Sequence, residues 1–305
     1  MNSGPILRKE DIVFLIAPSY SANKLEIEEG IKELKTKGLQ IQLGKSIFKS
    51  WGNFSGTDNE RLTDLQEALD STTAKAIICI RGGYGLSRII SRLSWEQFIK
   101  NPKWLIGFSD ITLLHIQIQK FGLRSIHGLM AARFAKQEHE SGFQRLYSCL
   151  FNKKTTLAYS IQIESDFMPF EPIEGKLIGG NLTMIVHTIG TVLEPDFSGK
   201  ILFLEEVGEP FYKIDRMLYQ LKLSEKLKGL KAIVLGQFTE CNSLGFPLKL
   251  EEIFKTTFLQ IPTFSGLQSG HGTPNFPLIL GENAIIQKSN DGFTFTQLLH
   301  QNEVI

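Results

Sequence analysis

Cysteine is scarce in this chain. Its three copies, Cys79, Cys149 and Cys241, are odd in number and far apart, which excludes a paired disulfide framework and the close spacings of a cysteine metal site. Cys79 and Cys241 lie in or near apolar strand-like segments, where a thiol serves as a small buried hydrophobe. An excess of charge of either sign is also lacking, since 33 Lys and Arg against 32 Asp and Glu leave a formal net charge of +1. That balance, with no basic run interleaved with aromatics, speaks against a nucleic-acid partner and against electrostatic attachment to a membrane. No apolar run approaches membrane-spanning length, and Met1 to Glu10 carries no signal-peptide pattern, so a soluble cytoplasmic protein is expected. Tyrosine is thin beside phenylalanine, six against 22, which reads as apolar filling by phenylalanine. Internal repeats and low-complexity stretches are missing too.

What is present is core material, 42% of 305 residues being hydrophobic, enough for one large domain or two medium ones. The first half alternates strand and helix signals. The continuous apolar run Ile12 to Ala17 suits a strand buried on both faces, and Lys24 to Lys37 follows at helical spacing with Ile27, Ile31 and Leu34 on one face. Leu39 to Leu43 alternates as a strand, Asn59 to Asp70 reads as a helix, Ala76 to Ile80 as a strand, Leu86 to Leu93 as a helix and Trp104 to Ile106 as a strand. Such repeated units imply an N-terminal Rossmann-like α/β domain with a parallel sheet, expected over 1–165. After a connector at Met168 to Pro172, a smaller mixed α and β domain is expected over 175–305. It holds strands at Ile201 to Leu204 and Ala232 to Leu235, a helix near Ile214 to Leu223 and a strand-rich C-terminus. Doubly wound sheets bind ligands at the carboxyl ends of their strands. Three loops qualify: Pro18-Ser19, Arg81-Gly82-Gly83-Tyr84-Gly85 and Phe108-Ser109-Asp110.

The last of these carries the strongest chemical signal. Gly107-Phe108-Ser109-Asp110 separates an apolar strand from a stretch, Ile111 to Ile118, that reads as an amphipathic helix. A strand, a sharp turn and a helix lift a serine Oγ clear of the backbone and set unpaired N–H groups where an oxyanion would form, although Ser-Asp also makes an ordinary helix cap. The glycine loop fails the dinucleotide fingerprint in spacing and position, and no acidic partner follows it at the expected distance. It suits a tight turn whose amides face a neighbouring site, with Gly82 or Gly83 pairing with the Asp110 amide. A serine nucleophile needs a base. Among six histidines, His115 and His187 fall on helical stretches, His139 and His300 in polar surroundings, and His127 near a sheet edge. His271 sits in Ser269-Gly270-His271-Gly272-Thr273-Pro274-Asn275, where flanking glycines leave the imidazole unhindered to reach across a domain interface. The orienting acid is Glu205 or Glu206, which end an apolar strand and point to opposite faces of it; the pattern alone does not choose between them.

Together these segments resemble the LD-carboxypeptidases, serine peptidases whose relatives include the microcin C immunity peptidases. The resemblance covers most of the chain. It runs in order through Ala17-Pro18-Ser19, Gly56-Thr57-Asp58 with Arg61, Arg81 to Gly85, Gly107 to Asp110 with Thr112, His127-Gly128, Gly179-Gly180-Asn181-Leu182, Leu204-Glu205-Glu206, Ile214-Asp215-Arg216 and Gly270-His271. It implies Ser109 as nucleophile, Glu205 as triad acid, His271 as base and the backbone N–H groups of Gly83 and Asp110 as oxyanion hole. Two positions depart from the family pattern: Glu206 stands where aspartate is common, and Leu129 where proline often follows His127-Gly128. The implied reaction releases terminal D-alanine from a cytoplasmic muropeptide tetrapeptide in peptidoglycan recycling, without metal or organic cofactor, by a homodimer. Arg81 is the expected clamp for the substrate's free carboxylate, because a guanidinium grips a carboxylate at two points, unless it anchors its own loop. Rival readings are an immunity peptidase cleaving aminoacyl-nucleotide toxins, with Trp51 and Tyr84 as candidate stacking rings, an α/β-hydrolase esterase, and a ligand-binding protein without activity. The esterase would want a second elbow glycine, and this chain has Asp110-Ile111 there.

Overall fold

The computed structural model describes residues 4–166 and 169–301. Met1 to Ser3 of the N-terminal stretch and Met168 of the expected connector lie outside the described residues, while Pro169 to Pro172 take no helix or strand. The chain divides into two compact units, crossing from one to the other between Thr155 and Thr156. Phe276–Leu278, His300 and Gln301 belong with the first.

In the first unit the elements run β1 (Ile12–Ile16), α1 (Lys24–Thr36), β2 (Gln40–Leu43), α2 (Asp58–Asp70), β3 (Ala74–Cys79), α3 (Glu96–Lys100), β4 (Trp104–Gly107), α4 (Thr112–Lys120), β5 (Ser125–His127) and α5 (Glu140–Phe151). Local chemistry sets several boundaries. The Asn23 side chain accepts from Leu25 N–H at the start of α1, and Thr57 with Glu60 closes a reciprocal capping box on α2. The strands pair in the order β5-β4-β3-β1-β2, all parallel, and the short strand that starts at Leu278 borders β5. Strand order reverses between β1 and β3, which makes their carboxyl ends the switch point where a doubly wound sheet opens a crevice. Val13 to Ile16, Ala76 to Ile80 and Trp104 to Ile106 are fully or almost fully buried, and each such aliphatic side chain contributes roughly 1.5–3 kcal/mol.

Two expectations change here. Leu86 to Leu93 is not one helix but two single 3₁₀ turns, Leu86–Arg88 and Ile90–Arg92. Ile89 at φ −122° breaks the run, and the Leu86 N–H is drawn to the Asp110 carboxylate. Nor is α4 amphipathic, since Thr112 to Ile116 and Ile118 are all buried. β5 and α5 carry signals the sequence reading passed over.

The second unit is a closed seven-stranded barrel. Its elements are β6 (Lys154–Ile163), β7 (Ile173–Asn181), α6 (Leu182–Thr188), β8 (Lys200–Val207), α7 (Phe211–Leu223), β9 (Ala232–Thr239), α8 (Leu250–Thr257), β10 (Thr263–Ser265), β12 (Asn283–Ser289) and β13 (Gly292–His300); β11 (Leu278–Leu280), between β10 and β12 in the chain, is the strand that borders β5 and is no part of the barrel. The barrel order is β10-β6-β13-β12-β7-β8-β9, with β7, β8, β9 and β10 parallel to one another and β12 antiparallel to both neighbours. Ile201 to Leu204, Ala232 to Val234, Phe264 and Phe295 fill its core. No helix among the described residues is long and apolar enough to cross a membrane.

Candidate active site

Ser109 sits directly behind β4, in the 3₁₀ turn Ser109–Ile111 that leads into α4. Its φ is +67°, the left-handed region that a residue with a Cβ enters at a cost of about 1–3 kcal/mol. The turn is held from below. His115 places one ring nitrogen 2.9 Å from the Gly107 carbonyl and the other 2.8 Å from Ser125 Oγ, and burial lowers its pKa to about 4. This histidine is therefore a neutral strut under the serine turn, not a base.

All three strand-end loops of the first unit meet at this turn. Ser19 Oγ donates to Asp110 Oδ2 at 2.6 Å, the Leu86 N–H donates to the same oxygen at 3.0 Å, and Tyr20 N–H donates to the Gly82 carbonyl at 3.2 Å. The buried Asp110 side chain thus ties the loops behind β1 and β3 to its own. Gly82 lies so close that a Cβ built on it would stand 2.7 Å from Ser109 Cβ and 3.0 Å from Oγ. At Gly83 the φ is +111° and a Cβ would enter the Tyr20 ring at 2.5 Å. Only glycine fits at these two positions, and the backbone there passes beside the serine hydroxyl. Arg81 is exposed and donates from Nη1 to the Ser21 carbonyl at 3.1 Å, so part of its guanidinium secures the neighbouring loop.

The second unit assembles an acid and an imidazole. Glu205 in β8 is fully buried, and its Oε2 lies 2.7 Å from His271 Nδ1. Engagement of Nδ1 fixes the imidazole's orientation. The glycines around His271 have a sharper purpose than leaving room for the ring. A Cβ on Gly270, at φ +132°, would come 2.9 Å from Glu205 Oε2, and one on Gly272 would lie 2.7 Å from Gln237 Cδ. Gln237 then fastens the loop from both sides, accepting from Gly272 N–H at 3.1 Å and donating to the Pro274 carbonyl at 3.1 Å. Asn275 Oδ1 accepts from Gly270 N–H at 3.1 Å. Gln237 and Asn275 escaped sequence reasoning because neither stands in a motif; the polar Gln237 in an apolar strand was the available signal.

Glu206 keeps different company. Its oxygens accept from Asn181 Nδ2, the Thr183 N–H and hydroxyl, and the Val207 N–H, all at 2.7–2.8 Å. It braces the start of α6, and burial raises its pKa. Of the remaining histidines, His187 and His300 are exposed and His127 is buried at the end of β5. His139, expected in solvated surroundings, is buried, which lowers its pKa, and its Nε2 lies 3.3 Å from Arg133 Nη1. The structure thus joins Glu205 to His271 in one unit, and Ser109, Asp110, Gly83 and Arg81 in the other. No cluster of three or more His, Cys, Asp or Glu side chains among the described residues is arranged to hold a metal ion.

A doubly wound sheet with a strained serine at a strand end, accompanied by a barrel holding a carboxylate–imidazole pair, defines a hydrolase-type architecture. Residues 13–128 match the family model of the LD-carboxypeptidase N-terminal domain, and residues 174–286 that of the LD-carboxypeptidase C-terminal domain. The chain is 33% identical to the probable murein peptide carboxypeptidase of Bacillus subtilis, over 91% of this chain and 89% of that one. It is likewise 33% identical to the murein tetrapeptide carboxypeptidase of Pseudomonas aeruginosa, over 90% and 92%. The crystal structure of muramoyltetrapeptide carboxypeptidase from Oxalobacter formigenes superposes with a TM-score of 0.84 at 28% identity, covering 96% of this chain and all of that one. The chain belongs to the LD-carboxypeptidase family.

Proposed function

We propose that the protein is a serine-type LD-carboxypeptidase that removes the terminal D-alanine from muropeptide tetrapeptides in the cytoplasm, as a homodimer serving peptidoglycan recycling. The observation that carries the reading is the 2.7 Å contact of His271 Nδ1 with the buried Glu205, in a chain whose Ser109 stands at a left-handed strand-end turn. In the reaction His271 Nε2 accepts the Ser109 proton as Oγ attacks the carbonyl carbon of the L,D-amide. The developing oxyanion is held by the backbone N–H groups of Gly83 and Asp110. Collapse breaks the C–N bond, the imidazolium gives its proton to the departing amine of D-alanine, and the acyl chain remains esterified to Ser109. Water, deprotonated by His271, then hydrolyses the ester and restores the serine. Glu205 stabilises the imidazolium throughout without taking its proton. Arg81 holds the terminal carboxylate with the guanidinium nitrogens not occupied by Ser21.

The test is incubation of the purified protein with a muropeptide tetrapeptide, following free D-alanine by mass spectrometry, beside Ser109→Ala. Release by the wild type alone, unaffected by a chelator, is expected, with the variant slower by about 10⁴–10⁶-fold. Full turnover by Ser109→Ala, or inhibition by the chelator that added metal reverses, would overturn the reading.

A further inference from the structure

Four aromatic rings form a connected surface beside the serine turn, within the first unit, and the chemistry described so far uses none of their exposed faces. Phe54 is the hub. Trp51 stacks on it at 5.9 Å and 30°, Tyr84 leans on it at 5.9 Å and 49°, and Tyr20 meets it edge-on at 5.7 Å. The wholly buried Arg61 guanidinium lies over the Phe54 ring at 4.7 Å. Trp51 and Tyr84 remain 51% and 44% exposed, an unusual outlay of aromatic area for a merely structural cluster.

The surface is rigidly connected to the serine. Trp51 and Phe54 exchange two backbone hydrogen bonds across a tight turn, at 2.9 and 3.1 Å. That turn is fastened to the loop behind β1 by Ser21 N–H to the Asn53 carbonyl and by Ser55 N–H to the Ser19 carbonyl. The same loop carries Ser19 and Tyr20, which bond to Asp110 and Gly82. Tyr84 is two residues beyond Gly82, which touches Ser109.

We propose that Trp51 and Tyr84 form a saccharide-binding shelf, on which the amino-sugar rings at the distal end of the muropeptide stack. The inference rests on the carboxypeptidase reading above. Three features select a sugar. Trp51 and Tyr84 flank Phe54 as separate inclined shelves, not as the parallel slot that sandwiches a nucleobase. The rings are bordered by ion-paired polar groups, Lys49 with Glu60 at 2.6 Å and Arg88 with Asp58 at 2.7 Å, which suit hydroxyl and acetamido partners. Trp51 and Tyr84, each centred 5.9 Å from Phe54, offer two exposed ring faces, one for each ring of a disaccharide.

The test compares kcat/KM for the disaccharide-bearing tetrapeptide and for the free tetrapeptide in wild type, Trp51→Ala and Trp51→Phe. The wild type should favour the disaccharide-bearing substrate by about tenfold, Trp51→Ala should bring the ratio near one, and Trp51→Phe should restore most of it. A wild-type ratio near one, or a ratio that Trp51→Ala leaves intact, overturns the shelf. If the wild type cleaves neither substrate, the reaction fails while the shelf is still judged by saturation-transfer NMR. Signal from the free disaccharide that Trp51→Ala abolishes sustains it, whereas no signal, or signal from adenosine instead, overturns it.

Discussion

Between Leu204 and Glu206 the pairing of β8 with β9 is irregular, and the two carboxylates there keep different company. One meets an imidazole, and the other meets three donors at the head of α6 and the Val207 N–H beside it in β8. Their substitutions should separate accordingly. We expect Glu205→Gln to lower kcat by about 10³–10⁴-fold while the fold holds. Glu206→Gln should act on stability, costing about 1–3 kcal/mol because an amide cannot accept from every donor that now converges on the carboxylate. Turnover and thermal midpoints of both variants decide this, and equal losses of turnover would refute the division of labour. The residue pattern carried the pair but not the choice, which only the family resemblance made, because it depends on which face of β8 each side chain leaves. Ser109 was more legible, because strand, turn and helix are all local. The purpose of Gly270 was not, since its neighbour Glu205 is remote in sequence.

At the scale of elements, regular periodicity was readable wherever packing agreed with it. β1, α1, α2 and β4 stand close to where their patterns place them. The 3₁₀ turns after Gly85 do not follow pattern, because a carboxylate from another loop captures the first amide. β6 was missed although its residues alternate strictly between buried and exposed from Lys154 to Gln162; its polar outward side chains gave it the look of a loop. α4 yields a pH prediction through His115. In the folded protein burial lowers this histidine's pKa to about 4, whereas in the unfolded chain it titrates near ~6.5. Between those values the unfolded state binds more protons, so the contribution of His115 to stability falls as pH drops from ~6.5 toward 4, by on the order of 3 kcal/mol at full protonation. Denaturant unfolding at pH 7 and pH 5 should show a smaller pH dependence in His115→Gln than in the wild type. An unchanged difference between the two pH values would mean that His115 is not the group being titrated.

For the whole molecule, alternating strands and helices announce a parallel sheet, and the strand-rich second half announces another sheet, but closure into a barrel depends on β6 meeting both β10 and β13, partners more than a hundred residues away. No local signal records such a meeting. Assembly beyond one chain is a separate matter, and the proposed homodimer should sediment at twice the chain mass at micromolar concentration. A single-chain mass there would remove dimerisation from the reading.

The path of the chain has a consequence for its synthesis. The first unit begins at the N-terminus, yet it needs Phe276–Leu278 and also Gln301, which bonds to the carbonyls of Cys149 and Asn152. A ribosome must therefore reach Gln301 before that unit is whole. Until then the sheet edge at β5, later bordered by the strand from Leu278, emerges uncovered, and exposed strand edges invite pairing with other chains. Through most of that interval Ser109 has been synthesised and His271 has not.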